Sequence, residues 1–300
     1  MIKTAGKILL GLLGVVILAA AGLYAKGTMG IGKVRTIAAS PIAVPTDSAT
    51  IARGRHLASA ILKCTDCHGN DLGGREPFAD AGPLGVVNSA NLTTGRGGVI
   101  SRYDDAALAR TIRHAVRVDG TPIPIMPAIA YISASDEDVA AVIAYVRSLP
   151  AVDREHHPSE VKPLGRVLYA VGMFPIYDAD LIDHATPPAR PVPGPTKEYG
   201  KYLADIGGCT GCHGPGLSGG KIPGTPPDWK PATNITVQNL KDWTEADFIK
   251  ALKTGIRPNG TPIDTLMPWK FAGQMDSTEM RAVWAFLRSM PGKAYGGRGG

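Results

Sequence analysis

The chain of 300 residues is long enough for two domains of ordinary size plus additional segments. Its net charge of +6 collects at the chain ends: residues 51–150 carry ten basic and ten acidic side chains, and residues 196–291 carry eleven and nine. That distribution leaves no basic face for nucleic acid, so no nucleic-acid partner is expected.

Ile8 to Ala25 is an unbroken apolar run, with Lys3 and Lys7 before it and Lys26 after it. The run is at the short end for crossing a bilayer and long for the core of a secretory signal. A small-residue cleavage pattern exists at Ala19-Ala20-Ala21, but the run continues through Leu23 and Tyr24. Residues 1–26 are therefore read as a membrane anchor acting through residues 8–25, with a signal peptide as the alternative. The flanking lysines do not set the orientation, because Lys26, Lys33 and Arg35 balance those upstream. Residues 27–46 read as a Gly/Pro-punctuated tether. A helix is expected from Asp47 or Ser48, running through Ile51, Leu57 and Ile61-Leu62.

That helix leads into Cys64-Thr65-Asp66-Cys67-His68, and Cys209-Thr210-Gly211-Cys212-His213 repeats the pattern. C-x-x-C-H is the attachment signature of a c-type haem: two thiols add across the vinyl groups and the histidine turns onto the iron. The two motifs use all four cysteines, leaving neither a disulfide nor a spare thiol. A shared four-thiolate zinc centre would leave the histidine after each pair unexplained. A thioredoxin-like pair needs a preceding strand and a βαβ context that neither copy has. Two covalently bound haem c groups are expected, and the many glycines and prolines and few aromatics suit small domains whose core a haem completes. In bacteria this attachment occurs outside the cytoplasm. The chain is accordingly expected to be a single-pass protein of the bacterial inner membrane with its haem domains in the periplasm.

The surroundings of the motifs repeat as well. Gly54-Arg55-His56-Leu57-Ala58 matches Gly200-Lys201-Tyr202-Leu203-Ala204, and Asn91-Leu92-Thr93 matches Asn234-Ile235-Thr236. Tyr103-Asp104 opens a helix as Trp243-Thr244 does, and Asp119-Gly120-Thr121-Pro122-Ile123 matches Asn259-Gly260-Thr261-Pro262-Ile263. Met126-Pro127 matches Met267-Pro268, and each copy ends in an amphipathic helix, capped by Ser135 and by Asp276. The expected fold is all-α: one N-terminal transmembrane helix followed by two tandem haem domains, 47–150 and 196–291. Between them, residues 151–195 read as a linker with one short apolar helix in Leu164–Phe174 and a Pro-rich, extended end at Pro187, Pro188, Pro191, Pro193 and Pro195. That linker is expected to wrap the junction, and residues 292–300 to form a flexible tail.

The second axial ligand is expected from the Met-Pro loops. Met126 and Met267 each precede a proline, which holds the methionine extended and presents its thioether at a fixed depth. Neutral thioether ligation favours Fe(II). His56, His114, His156, His157 and His184 lack a histidine counterpart in the repeat and are not read as ligands. Arg117 and Arg257 stand three residues before Gly120 and Gly260, where a guanidinium can pair with a haem propionate. Asn91 and Asn234 begin N-x-T triplets; their recurrence suggests hydrogen bonding that fixes the loop beside the haem rather than glycosylation.

Taken together, the start Gly54 to Gly69 and Gly200 to Gly214, the Asn-Leu/Ile-Thr triplets, the D/N-G-T-P-I turns and the Met-Pro loops resemble class I c-type cytochrome domains. More narrowly, the chain resembles the haem subunits of bacterial membrane-bound alcohol, fructose and gluconate dehydrogenases. Those subunits usually carry three haem motifs, and this chain has two. The resemblance implies an electron carrier rather than an enzyme. It would take single electrons from a dehydrogenase or quinol-oxidising partner and pass them to a terminal oxidase or soluble cytochrome. The alternatives are the dihaem subunit of a cbb3-type oxidase or a dihaem peroxidase.

Overall fold

Eighteen consecutive apolar residues wind into helix α1 (Ile2–Ile31), and their apolar window is not buried by the rest of the chain. The computed structural model describes residues 2–184, 189–223, 225–226 and 228–296. The expected prolines Pro187 and Pro188 and residues 297–300 of the expected tail lie outside the described residues.

Both repeats follow the same order. The first comprises α2 (Ser48–His56), continued by a π-turn at Leu57–Ile61, α3 (Cys64–His68), α4 (Asp105–His114), α5 (Ala128–Tyr131) and α6 (Asp136–Arg147). In chain order α7 (Pro163–Ala170) follows in the linker, and the second repeat comprises α8 (Lys197–Ile206), α9 (Cys209–His213), α10 (Glu245–Thr254), α11 (Trp269–Ala272) and α12 (Ser277–Ser289). The helix starts are where the sequence places them: Asp47 accepts from Ala49 N and Thr50 N, Ser135 from Asp138 N, and Asp276 closes a capping box with Glu279.

Within each repeat the first and last helices cross at a glycine. A Cβ on Gly54 would stand 1.8 Å from the Ala141 carbonyl oxygen of α6, and one on Gly200 would stand 1.8 Å from that of Ala282 on α12. Only a residue without a side chain permits this approach. Apolar residues from both repeats, among them Leu57, Ile61, Ile143, Leu203, Ile206 and Leu287, then join one continuous core.

Charge also crosses the junction. Asp138, fully buried, accepts from Arg53 (3.3 Å), Arg190 (2.9 Å) and the Tyr202 hydroxyl (2.8 Å). Glu279, 1% exposed, meets Arg53 at 2.7 Å and His56 at 2.6 Å. Burial by itself would raise the Glu279 carboxyl. The hydrogen bonds and charges of His56 and Arg53 outweigh that and hold it below the usual carboxylate range.

Two features depart from the expected all-α organisation. The first is a three-stranded antiparallel sheet, in the order β1 (Arg75–Asp80), β2 (Gly85–Ser89), β3 (Glu160–Val161). Strand β3 comes from the linker, so the third strand is added because residues 151–180 fold back over the first repeat. The junction receives from the linker only the Arg190 contact with Asp138 among its described ion pairs. Second, residues 27–31 continue α1, and the segment expected as a tether is packed: Arg35 N donates to Gly120 O at 2.8 Å, and Ile42 and Val44 lie on the core.

Helix α7 covers one side of the expected range Leu164–Phe174 and clamps the end of α1. A Cβ on Gly27 would stand 2.0 Å from the Arg166 carbonyl oxygen, and one on Gly30 would stand 2.8 Å from the Tyr169 ring. Asp180 closes the clamp, 2.6 Å from Arg35 and 2.6 Å from the Tyr169 hydroxyl.

Candidate haem-attachment sites

Each C-x-x-C-H segment is a single helical turn entered through a left-handed residue. Lys63 (φ 55°) precedes α3 and Gly208 (φ 69°) precedes α9; Gly69 (φ 80°) and Gly214 (φ 78°) lead out. One turn brings cysteines three residues apart to the same side. All four are free thiols. Burial pushes Cys64 up to about 12 and Cys67 up to about 11, and it raises Cys209 and Cys212 as well. The sulfurs are therefore held as neutral thiols rather than thiolates. Among the described residues no three His, Cys, Asp or Glu side chains converge on a common metal position, so the four cysteines do not assemble the alternative zinc centre.

The two histidines are oriented alike. His68 Nδ1 lies 2.8 Å from Ala90 O and His213 Nδ1 2.7 Å from Thr233 O. A ring hydrogen on Nδ1 donates to each carbonyl, which leaves Nε2 with its lone pair for a metal. Burial pulls both rings below the usual histidine range, favouring the neutral, ligating form.

Those carbonyls stand one residue before Asn91 and Asn234, and here the recurring triplets acquire a structural role. Asn91 Oδ1 accepts from Thr93 N (3.0 Å) and Thr93 Oγ1 (2.8 Å), while its Nδ2 donates to Val152 O (2.7 Å) and Arg154 O (3.1 Å). Asn234 Oδ1 accepts from Thr236 N and Thr236 Oγ1, both at 2.8 Å, and its Nδ2 donates to Lys293 O at 2.7 Å. Each asparagine thus buckles the chain that leaves the final helix onto the loop that orients the histidine. Of the segment expected as a flexible tail, residues 292–296 carry this bond and a further one, Gly296 N to Ser218 O at 3.1 Å.

Met126 and Met267 are half-buried and pack on the core. Their loops begin alike, with Ile123 N and Ile263 N donating 2.7 Å to Ala115 O and Gly255 O. Arg117 Nη1 reaches Thr121 Oγ1 at 3.2 Å and Pro122 O at 2.6 Å, and Arg257 Nη1 bonds Thr261 Oγ1 and Pro262 O in the same way. In this arrangement both guanidiniums brace the turn that leads to the methionine. Each copy therefore offers two free thiols, a ring nitrogen left free by the bond from Nδ1 to a backbone carbonyl, and a thioether. That donor set fits a covalently attached haem.

Two features of the sites escape a reading of side-chain types. Leu72 and Leu217, each four residues after a motif histidine, are buried in left-handed conformations (φ 52° and 56°). Their backbones splice the motif to the Asn-x-Thr loop: Leu92 N donates to Leu72 O at 2.8 Å and Ile235 N to Leu217 O at 2.9 Å. The identical offset from the histidine was the available signal. The second is Lys63, whose ammonium crosses to the other repeat, 2.5 Å from Gly207 O and 3.0 Å from Ile61 O. The remaining histidines are engaged elsewhere: His56 with Glu279, His156 with Gly73 O, His157 with Glu76, and His114 with His184 at 2.8 Å.

Sequence comparison places these sites among known proteins. The profile of the cytochrome c family matches residues 51–150 and 198–291, the two segments that bear the motifs. The fructose dehydrogenase cytochrome subunit of Gluconobacter japonicus is 25% identical over 88% of this chain and 57% of its own length. The cytochrome c subunit of a quinone alcohol dehydrogenase from Gluconacetobacter polyoxogenes is 26% identical over 82% of the chain and 57% of its own length. A diheme cytochrome c-type protein of Cereibacter sphaeroides is 28% identical over 73% of the chain and 75% of its own length. The chain thus spans little more than half the length of the dehydrogenase subunits it resembles.

Proposed function

This chain belongs to the cytochrome c family, and from that premise we propose that it is a dihaem, membrane-anchored carrier that moves single electrons on the periplasmic side of the inner membrane. Electron transfer, not substrate chemistry, is the role of the family and of the dehydrogenase subunits it resembles. One observation carries the dihaem reading: the same orienting bond, His Nδ1 to a backbone carbonyl at 2.8 and 2.7 Å, is built twice, beside two intact cysteine pairs. In this reading residues 47–150 and 196–291 are two haem domains, and α1 crosses the bilayer through residues 8–25.

Cys64, Cys67, Cys209 and Cys212 would hold the two haems covalently, and His68, His213, Met126 and Met267 would ligate the irons. The bound haem supplies a one-electron Fe(III)/Fe(II) couple. The protein orients the histidines through Ala90 and Thr233, closes the loops through Asn91 and Asn234, and braces the methionine loops through Arg117 and Arg257. The electron donor is a dehydrogenase or quinol-oxidising complex, and the acceptor is a terminal oxidase or soluble cytochrome.

The test is haem counting and spectroscopy on the purified full chain. Two haems per chain are expected. Met126→Ala and Met267→Ala are each expected to abolish the methionine–iron charge-transfer signal of one haem and leave the other. Unchanged spectra in both variants would refute the ligand assignment.

A further inference from the structure

The entries to the two attachment motifs approach each other across the junction, and Lys63 bridges them. Ala130 of α5 lies against Gly208, 3.6 Å from where that residue's Cβ would be, so the Met126 loop of the first repeat abuts the entry to the second motif. From the first motif's own entry, Lys63 extends across the same junction to the carbonyl of Gly207. Lys63 immediately precedes Cys64, and Gly207 stands two residues before Cys209, so one ammonium sits at the entry to both cysteine pairs.

The arrangement is asymmetric. The second repeat has Gly208 at the corresponding left-handed position, the residue type that the conformation favours. The first repeat places a lysine there, in a conformation that L side chains rarely adopt, and buries its ammonium against two backbone carbonyls rather than a carboxylate. Neither backbone geometry nor solvation recommends a lysine at this point; what it gains is position, at the entry to both motifs.

We propose that Lys63 is a shared positioning residue for the two redox sites, a buried positive charge that raises the reduction potentials of both haems together. The proposal rests on the dihaem reading above. Reduction of Fe(III) to Fe(II) adds one electron and no proton, so it lowers the charge of each site by one. A nearby fixed cation favours the state of lower charge, and burial weakens the screening that would dilute its effect in water. Because the same ammonium stands at the entry to both motifs, its removal acts on both couples and not only on the one next to it in sequence.

The experiment is spectroelectrochemical titration of the full chain in detergent, with haem content measured on the same samples. Lys63→Met, which removes the charge and keeps the aliphatic stem, is expected to lower both midpoint potentials. Lys63→Arg, which keeps the charge, is expected to leave both close to the parent values. Lys63→Gly, with the residue the other repeat already uses, is expected to match Lys63→Met in potential and provides the neutral variant should methionine disturb the turn. Unchanged potentials in the neutral variants would overturn the proposal, and so would a fall confined to the first haem, which would make Lys63 a local residue. Should the parent chain carry fewer than two haems, the dihaem reading fails first, independently of Lys63.

Discussion

The two repeats build the same site with different outer shells. In the first, the methionine loop is held from outside: Ile125 N donates to Ile176 O at 2.8 Å and Ile129 N to Asp178 at 3.2 Å, both acceptors lying in the linker. In the second, the loop holds itself, with Leu266 N on the Asp264 carboxylate at 3.0 Å and Met267 N on Asp264 O at 3.1 Å. The first repeat forms the β1–β2 hairpin after its motif, where the second has an isolated bridge between Gly220 and Ala232. What is common is therefore the minimum that the site needs: a glycine crossing, a left-handed entry, a histidine tied to a carbonyl and an asparagine buckle. What differs is the material available to cover it.

The equivalence is most severely tested at the helix crossings. Gly54→Ala and Gly200→Ala each drive a Cβ to 1.8 Å from a helix carbonyl, which the backbone cannot easily yield. Each should lose at least about 3 kcal/mol in denaturant unfolding, the upper part of the range for overpacking. A large loss in only one repeat would break the equivalence. Next, Asp138→Ala leaves Arg190 without its buried partner and Arg53 with Glu279 alone. A loss of about 3 kcal/mol is expected, as for other half-broken buried ion pairs, and chemical denaturation would measure it. Asn91→Ala and Asn234→Ala should each lose about 1–2 kcal/mol from unmade buried hydrogen bonds. Comparable losses in the two variants, together with faster amide exchange at Thr93 and Thr236, would sharpen the buckle as a shared device.

The smallest effects are in pH dependence, where the two repeats share a sign and differ in the pH range concerned. The Glu279 carboxyl is held below its ordinary range, so its contribution is present above the unfolded value near 4.5 and is lost as pH falls through the folded value. Glu279→Gln should be less stable at neutral pH and should lack that acid-induced loss. His114 is pushed down to about 4, chiefly by burial and then by His184, Arg113 and Arg110. The unfolded chain binds that proton more readily, so stability should decline as pH falls from about 6.5 towards 4. Substituting the residue of the second repeat, His114→Thr, should flatten this part of the stability profile.

Much of the site was legible because it is written in side chains with offsets. The C-x-x-C-H pairs, the Met-Pro loops, the Asn-x-Thr triplets and the caps at Asp47, Ser135 and Asp276 all stand where the repeat puts them. The sheet was not legible: β3 is two residues long and pairs across a separation of about seventy residues, with no periodic pattern to announce it. The orienting acceptors Ala90 O and Thr233 O are backbone atoms, which any residue supplies. Lys63 was hidden for another reason. Only the fold reveals that its φ is positive and that its ammonium lies beside the other repeat.

The clamp of α7 on α1 bears on how far a carrier can reach. A flexible linker of twenty residues would let the haem region roam about 25 Å from its anchor point and sample partners at many heights. Here Gly27, Gly30, Arg35 and Asp180 lock the first repeat to the last turns of α1, directly after the apolar run. With α1 in the bilayer, as proposed, the first repeat is a fixed post rather than a swinging arm. Its electron donor or acceptor must then come to it, by diffusing laterally in the membrane plane or by being bound beside it from the start.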